Sequence, residues 1–389
     1  MKITLLGPAH PYRGGIAEFS NRLALQLTGE GHNVDICTFK LQYPRFLFPG
    51  KTQYTDSAPP KNIRIRRLVN SVNPFNWIIT GFRIRRERPD ILLIRYWLPF
   101  MAPCLGTIAR IAKRNRYQFT KVICIFDNVI PHEKRAGDQL FTRYFVRSID
   151  GAVVMSQTVS DELEHFRINF PVVLNPHPIF DNYGEKIKKD DALKQLKLDP
   201  DYSYLLFFGF IRAYKGLDLL LEALSDERLR SRKLKLIVAG EFYDDKASYT
   251  ELIRKYNIEK NVIIFDRFIG NHEVPMFFSA ADLAVQPYRS ATQSGVTQIA
   301  CHYEVPMLVT DVGGLREIVT DMQSGYVVNP DPEDIASALN DFFDNNRKES
   351  FTKGVREGKE RFSWHNMTAA ITEVFLKTLL GQIIKSMGK

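Results

Sequence analysis

Short, wholly apolar runs alternate along this chain with longer stretches whose apolar positions recur every three or four residues. The first kind reads as buried strands and the second as amphipathic helices. In the first half, strands are expected at Ile3–Leu6, Val34–Thr38, Ile63–Leu68, Ile91–Tyr96, Val122–Phe126, Ala152–Met155 and Val172–Leu174. A helix is expected over Gly15–Leu27, ended by Gly29 and Gly31, and a polar, aromatic loop from Lys40 to about Pro60. Strands without a polar side, separated by helices, belong to a parallel sheet covered on both faces.

The pattern breaks over Asn175–Asp201, which holds prolines at 176, 178 and 200 and the lysine-rich run Lys186–Lys189. An interdomain linker is placed near the start of that stretch. The alternation then resumes. Strands are expected at Tyr204–Phe208, Lys235–Ala239, Val262–Phe265, Leu283–Gln286, Met307–Thr310 and Tyr326–Val328. Helices are expected at Gly216–Leu224, Ala247–Tyr256, Val274–Ala280, Gly295–Tyr303 and Asp334–Phe343. The fold class is therefore α/β, with two doubly wound, Rossmann-like parallel-sheet domains facing each other across a cleft. Residues 1–178 form the first and 179–365 the second. In such sheets ligands bind beyond the strand C-termini. A length of 389 residues also favours two domains over one.

Composition adds little: 44% hydrophobic and 25% charged residues are ordinary for a soluble protein. No apolar run approaches the roughly 20 residues of a membrane span. The opening MKITLLGPAHPYRGG is too short in its apolar part for a signal peptide, so a cytoplasmic location is expected. Cys37, Cys104, Cys124 and Cys301 are scattered without a C-x-x-C pair, which suits free buried thiols better than zinc or disulfides. Charge changes the picture more. Between Lys61 and Lys121 stand 14 Lys or Arg residues and two acids, Glu87 and Asp90, in a chain of net charge +9. Trp77, Ile78, Ile79, Phe82, Trp97 and Phe100 interleave with them. Segment 61–121 is thus either an amphipathic basic surface for anionic lipid, at the inner face of the cell membrane, or an ordinary solvated face. Nucleic acid is set aside, because no motif for it accompanies the charge.

Five segments could carry chemistry. Pro11-Tyr12-Arg13-Gly14-Gly15 follows the first strand and opens a helix, so Gly14 and Gly15 let backbone approach an anion, although the G-x-G-x-x-G spacing is absent. Gly209-Phe210-Ile211-Arg212-Ala213-Tyr214-Lys215-Gly216 repeats that placement in the second half. There Arg212 and Lys215 suit a diphosphate, one as a bidentate donor and one as a point charge. In Pro287–Val296, the main-chain N–H groups of Ser294, Gly295 and Val296 at a helix start suit an anion, and Thr292, Gln293 and Ser294 suit sugar hydroxyls. Asp127-Asn128-Val129-Ile130-Pro131-His132-Glu133 follows a buried strand, and its acid and imidazole suit a general base or substrate hydroxyls. Thr310-Asp311-Val312-Gly313-Gly314 is a turn that shapes a wall. Each, taken alone, also fits a plain capped turn.

Four runs together resemble the C-terminal signature of family 4 glycosyltransferases of the GT-B fold: FFGFIRAYKGLDLLLEAL, IVAGEFY, ADLAVQPYRSATQSG and VPMLVTDVGGLREIV. The N-terminal GPAHPYRGGIAEFSNRLALQL and the NPHP at 175–178 are similar to the same family, so the resemblance spans nearly the whole chain. It implies a retaining hexosyltransferase that needs no metal or other cofactor. A nucleotide-sugar is the donor and a glycan or lipid-linked molecule the acceptor, in cell-surface polysaccharide synthesis. It implies that Arg212, Lys215, Ser294, Gly295 and Val296 hold the donor diphosphate, and that Gly14 and Gly15 lie near the acceptor and that phosphate. It also implies that a final helix, within about 366–389, returns to the first domain. The family's two glutamates, eight positions apart, fall on Ala291 and Ile299, so ATQSG marks a subgroup in which Gln293 or Gln298 could substitute. The family's histidine falls on Asp127, with His132 downstream. The only D-x-D, Asp199-Pro200-Asp201, precedes a strand and gives a metal-dependent route no support. Two other functions share these features: a nucleotide-sugar 2-epimerase, and a non-catalytic binder of nucleotide-sugars or polyanions.

Overall fold

A computed structural model describes residues 1–44, 52–55, 58–113, 120–130 and 136–387, with side chains through Gly381. The chain divides into two compact units. Met1–His177 and Ser363–Lys389 form the first, and Pro178–Phe362 the second.

The first unit is built on a seven-stranded sheet: β1 (Lys2–Leu6), β2 (Asn33–Leu41), β3 (Arg64–Asn70), β4 (Ile91–Tyr96), β5 (Lys121–Phe126), β6 (Gly151–Val154) and β7 (Val172–Leu174). Its order is β3-β2-β1-β4-β5-β6-β7, parallel throughout. β4 and β5 are buried along their whole length, as strands covered on both faces must be. The second unit has six parallel strands: β8 (Ser203–Phe208), β9 (Leu234–Ala239), β10 (Val262–Phe265), β11 (Leu283–Gln286), β12 (Met307–Thr310) and β13 (Gly325–Val328), in the order β10-β9-β8-β11-β12-β13. In each sheet the winding reverses once, between β1 and β4 and between β8 and β11. The loops that leave those strands diverge there, which opens a crevice for ligands.

All thirteen strands read from the apolar runs are present. Two details differ. β2 continues to Leu41, because Phe39 is a core residue that packs edge-on against Tyr12 and Trp97; the register shifts beside it absorb the extra length. The stretch Asn175–Asp201, in which no element was expected, contains a helix, Lys189–Leu196. Its Ala192 and Leu193 are buried, and Lys189 Nζ reaches Asp282 Oδ1 at 2.6 Å. Asp282 also accepts from the Tyr204 amide at 2.8 Å, so the Lys189 charge anchors the helix beside β8.

The final helix, Trp364–Met387, belongs to the first unit. Trp364, Met367, Ala370, Ile371 and Val374 are buried on one side of it. Glu30, after the first helix, accepts from Thr368 Oγ1 at 2.9 Å. The close approach depends on Gly151: a Cβ there would lie 2.3 Å from Val374 Cγ1. Gly151→Ala should therefore destabilise the first unit by about 1–3 kcal/mol through overpacking. Adding Val374→Ala should make the loss smaller than the sum of the two single losses, as measured by urea unfolding.

Candidate functional site

The densest cluster of unusual geometry lies at the β8/β11 reversal. β8 leads through Gly209 to a short turn, Ala213–Lys215, and then to the helix Leu217–Ala223. β11 leads through Pro287–Ser294 to the helix Gly295–His302. Gly209 has φ +99°, and a Cβ on it would stand 3.1 Å from Lys215 Nζ and 3.5 Å from Val296 Cγ2. The Lys215 amine and the start of the Gly295–His302 helix thus meet over a glycine.

The backbones of these loops press on one another. Gly216, at φ +66°, faces the Pro287 carbonyl at 2.0 Å from where its Cβ would be. Gly313, at φ +50°, leaves only 1.6 Å between a would-be Cβ and the Ala291 carbonyl, while the Gly314 amide donates to Thr292 O at 3.1 Å. The Gly313-Gly314 turn thus clamps the loop after β11. A side chain joins the two principal loops: Arg289 forms two 2.6 Å bonds to the Asp218 carboxylate, and its amide donates to Tyr214 O at 2.7 Å. Sequence reasoning missed this pairing, because Asp218 lies 71 residues away within a helix read only for its apolar face.

Lys215 is 7% exposed. Its amine is pushed down to about 7, first by burial and then by the neighbouring Arg212. Tyr288, itself buried, lies under the amine at 5.5 Å from the ring centre. Arg212 is half-buried and stands over the Tyr243 ring at 5.1 Å. Ser294 caps the helix, its Oγ accepting from the Val296 amide at 3.2 Å and donating to Gln286 Oε1 at 2.8 Å. The Val296 N–H is thus already engaged by the cap, so an anion would share it with Ser294. Gly295 sits against Phe180, which a Cβ would approach to 2.9 Å. Thr292 is buried beside this helix start. Gln298 is fully buried, and neither of its amide atoms has a partner among the described residues.

In the first unit, Gly14 caps the helix Gly15–Gly29 at φ +102°, with open space where a side chain would be. Asp127 follows β5 and is nearly buried, its amide bonded to Tyr96 O at 2.8 Å. Its carboxylate faces Arg95, which donates through Nε to Oδ2 at 3.1 Å and through Nη2 to Oδ1. Burial pushes the Asp127 carboxyl up, and the Arg95 guanidinium opposes that rise. Arg95 lies over the Phe19 ring at 3.7 Å, and its Nη1 has no partner among the described residues. A carboxylate held this way orients groups better than it abstracts protons. His132 lies outside the described residues.

Residues 188–358 match the family described as glycosyl transferases group 1. A protein of Methanocaldococcus jannaschii named as an uncharacterized glycosyltransferase is 22% identical over 387 residues, covering 96% of this chain and 98% of its own length. A D-inositol 3-phosphate glycosyltransferase of Catenulispora acidiphila is 30% identical over 216 residues, 53% of this chain and 50% of that protein. The chain thus spans about half the length of relatives of that kind. Among solved structures, the sucrose-phosphate synthase of Thermosynechococcus elongatus superposes with a TM-score of 0.71 at 18% identity, covering 100% of this chain and 99% of that one. HepE of Anabaena, in complex with UDP, gives 0.73 at 14% identity, covering 96% and 99%. Such identities speak for the fold. The fold is GT-B, with two Rossmann-like units, and the second unit carries a glycosyl transferases group 1 domain. Fold and domain match together liken the chain to glycosyltransferases of the GT-B type.

The clamp gives a test. Gly313→Ala puts a methyl into the Ala291 carbonyl at a positive φ. It should cost more than about 2 kcal/mol of stability by urea unfolding. Gly358→Ala, at a helix end with open space around it, should cost less than about 0.5 kcal/mol.

Proposed function

We propose that this chain is a retaining family 4 hexosyltransferase, of a subgroup marked by ATQSG. In this reading it moves a sugar from a nucleotide-sugar to a glycan or lipid-linked acceptor in cell-surface polysaccharide synthesis. It works without a metal, in the cytoplasm at the inner face of the membrane. The observation that carries the reading is Lys215: a buried amine whose charged neighbour is another cation, Arg212. A donor diphosphate supplies the missing negative charge. UDP is the first probe, since HepE, of similar fold, is described in complex with UDP and with UDP-glucose.

The chemistry follows from the charges. The bond between the sugar's anomeric carbon and the diphosphate oxygen breaks, and the leaving group gains negative charge. Arg212, Lys215 and the N-terminal dipole of the Gly295–His302 helix stabilise that charge in a site shielded from water. The acceptor oxygen bonds to the anomeric carbon from the same face, and its proton passes to a departing phosphate oxygen. No strong side-chain base is then needed, and Asp127, with His132, orients hydroxyls. Thr292 and Gln293 are assigned to the donor sugar, and Gly14 and Gly15 to the acceptor loop. Gln298, with a buried amide that lacks partners among the described residues, is the better placed substitute for the absent glutamates.

Calorimetry with UDP and GDP tests the site. Arg212→Ala and Lys215→Ala should each weaken diphosphate binding by roughly 10- to 100-fold, the worth of a charge-assisted bond. Equal binding by wild type and the double variant would remove this site from the proposal. The pH dependence has a fixed sign. The free amine titrates near 7 and the bound diphosphate raises it, so binding takes up a proton above pH 7. Affinity should fall as pH rises above 7, by at most about tenfold per unit, and Lys215→Ala should lose that slope. A sugar epimerised without acceptor would point to the 2-epimerase instead.

A further inference from the structure

The helix Pro74–Glu87 has two apolar sides. Thr80, Gly81 and Ile84 are buried on the inner one, and a Cβ on Gly81 would lie 2.7 Å from Ile111 Cβ. The outer one presents Phe75 (77% exposed), Ile78 (40%), Ile79 (67%) and Phe82 (53%). That spacing of i, i+3, i+4 and i+7 forms one stripe. At about 100° per residue, Arg83 and Arg85 flank the stripe on opposite sides, and Arg86 extends it by one turn. The helix's one acid, Glu87, is turned inward, bound to Arg66 at 2.7 Å and paired with Arg83 at 3.6 Å, so the rim of the outer side stays net cationic, with Arg85 and Arg86 apart from that pair.

A second helix continues the surface. Asp138–Val146 exposes Leu140 (66%), Phe141 (40%) and Tyr144 (38%), with Arg143 and Arg147 exposed beside them. The helix Ala102–Lys113 packs between the two: its Ile111 meets Gly81, and its Gly106 meets Tyr144, within 2.9 Å of a would-be Cβ. The Arg110 guanidinium stands over the Tyr144 ring at 3.8 Å. One unit therefore carries a row of three helices, of which the outer two show large apolar side chains among arginines. Isolated exposed apolar residues are ordinary, but an ordered stripe rimmed by one sign of charge marks an interaction surface.

We infer that this face docks on an anionic lipid surface. Phe75, Ile79 and Phe82 sink to the level of the headgroups, and Arg83, Arg85 and Arg86 contact their phosphates. The charge decides against a second copy of the chain, because two such arginine rims would repel across a shared axis. No helix among the described residues is long and apolar enough to cross a membrane, so the contact lies in the plane of the surface. The inference deepens the membrane placement proposed above and does not depend on sugar transfer.

Flotation with vesicles tests it, using phosphatidylcholine alone and phosphatidylcholine mixed with phosphatidylglycerol. Wild type should float with the mixed vesicles at low salt and not with the neutral ones, and high salt should release it. Arg83→Gln/Arg85→Gln/Arg86→Gln should weaken binding by about fivefold per arginine, and Phe75→Ser/Ile79→Ser by at least about tenfold. Unchanged thermal midpoints and unchanged UDP affinity would show that the variants fold and keep the donor site. The inference fails if wild type ignores mixed vesicles or if both variants float as wild type does. A concentration-dependent dimer in sedimentation equilibrium, abolished by Phe75→Ser, would assign the face to a second copy instead. Intact UDP binding without vesicle binding removes only the docking face. Vesicle binding without UDP binding removes only the donor site.

Discussion

A lysine that is 7% exposed, with an arginine as its charged neighbour, is the constraint around which the second unit is arranged. Burying an amine without a counter-charge is costly, and the amine responds by releasing its proton more readily. Such a site persists when its surroundings are over-determined. Here that is done with backbone: two glycines at positive φ, Gly216 and Gly313, let the loops after β8, β11 and β12 touch where any side chain would collide, and Gly209, at φ +99°, leaves room for the Lys215 amine. The Arg289–Asp218 pair then ties the first two loops together. The exposure of that pair makes it weak as a source of stability but suitable for fixing geometry.

The strands were legible because each is an apolar run buried on both faces, and that pattern does not depend on distant partners. Glycine turns after β1, β8, β11 and β12 were legible for a similar reason, since each interrupts the pattern at a strand end. What escaped was set by contacts between remote positions. The Lys189–Leu196 helix was not read because its charges dominate the composition, and only Asp282, 93 residues on, shows what Lys189 does. The Arg289–Asp218 staple and the Gly313–Ala291 contact are likewise invisible without the fold. Ser294 was read both as an anion donor through its main chain and as a plain helix cap, and its hold on the Val296 amide is the cap.

Arg95 and Asp127 show the same principle in the first unit. Both lie at the C-terminal ends of neighbouring central strands, where a sheet presents groups to ligands. The sequence singled out Asp127 for its position and overlooked Arg95, because an arginine inside an apolar strand reads as a surface residue. Buried together, each offsets part of the cost of the other, and removing Asp127 would leave the Arg95 charge in the core without its carboxylate. The pair is therefore a fixed dipole. Its remaining donor, Nη1, lacks a partner among the described residues, and its carboxylate is committed to the guanidinium.

The absent glutamates can now be weighed in the same electrostatic terms. Ala291 and Ile299, the positions where the resembling family carries them, are both nearly buried. Ala291 is further pinned by its carbonyl against Gly313. A carboxylate at either place would itself be buried and would add a negative charge to the wall of the second unit. With Ala and Ile there, no acid at these two positions reduces the field of Arg212, Lys215 and the helix start, which is what the proposed diphosphate site requires. Sugar and ribose hydroxyls still require polar partners, and a neutral amide such as that of Gln298 can hydrogen-bond them without cancelling the field. Under the proposed function, the departure from the resembling family's pattern would trade specificity carried by charge for electrostatic attraction to the phosphates.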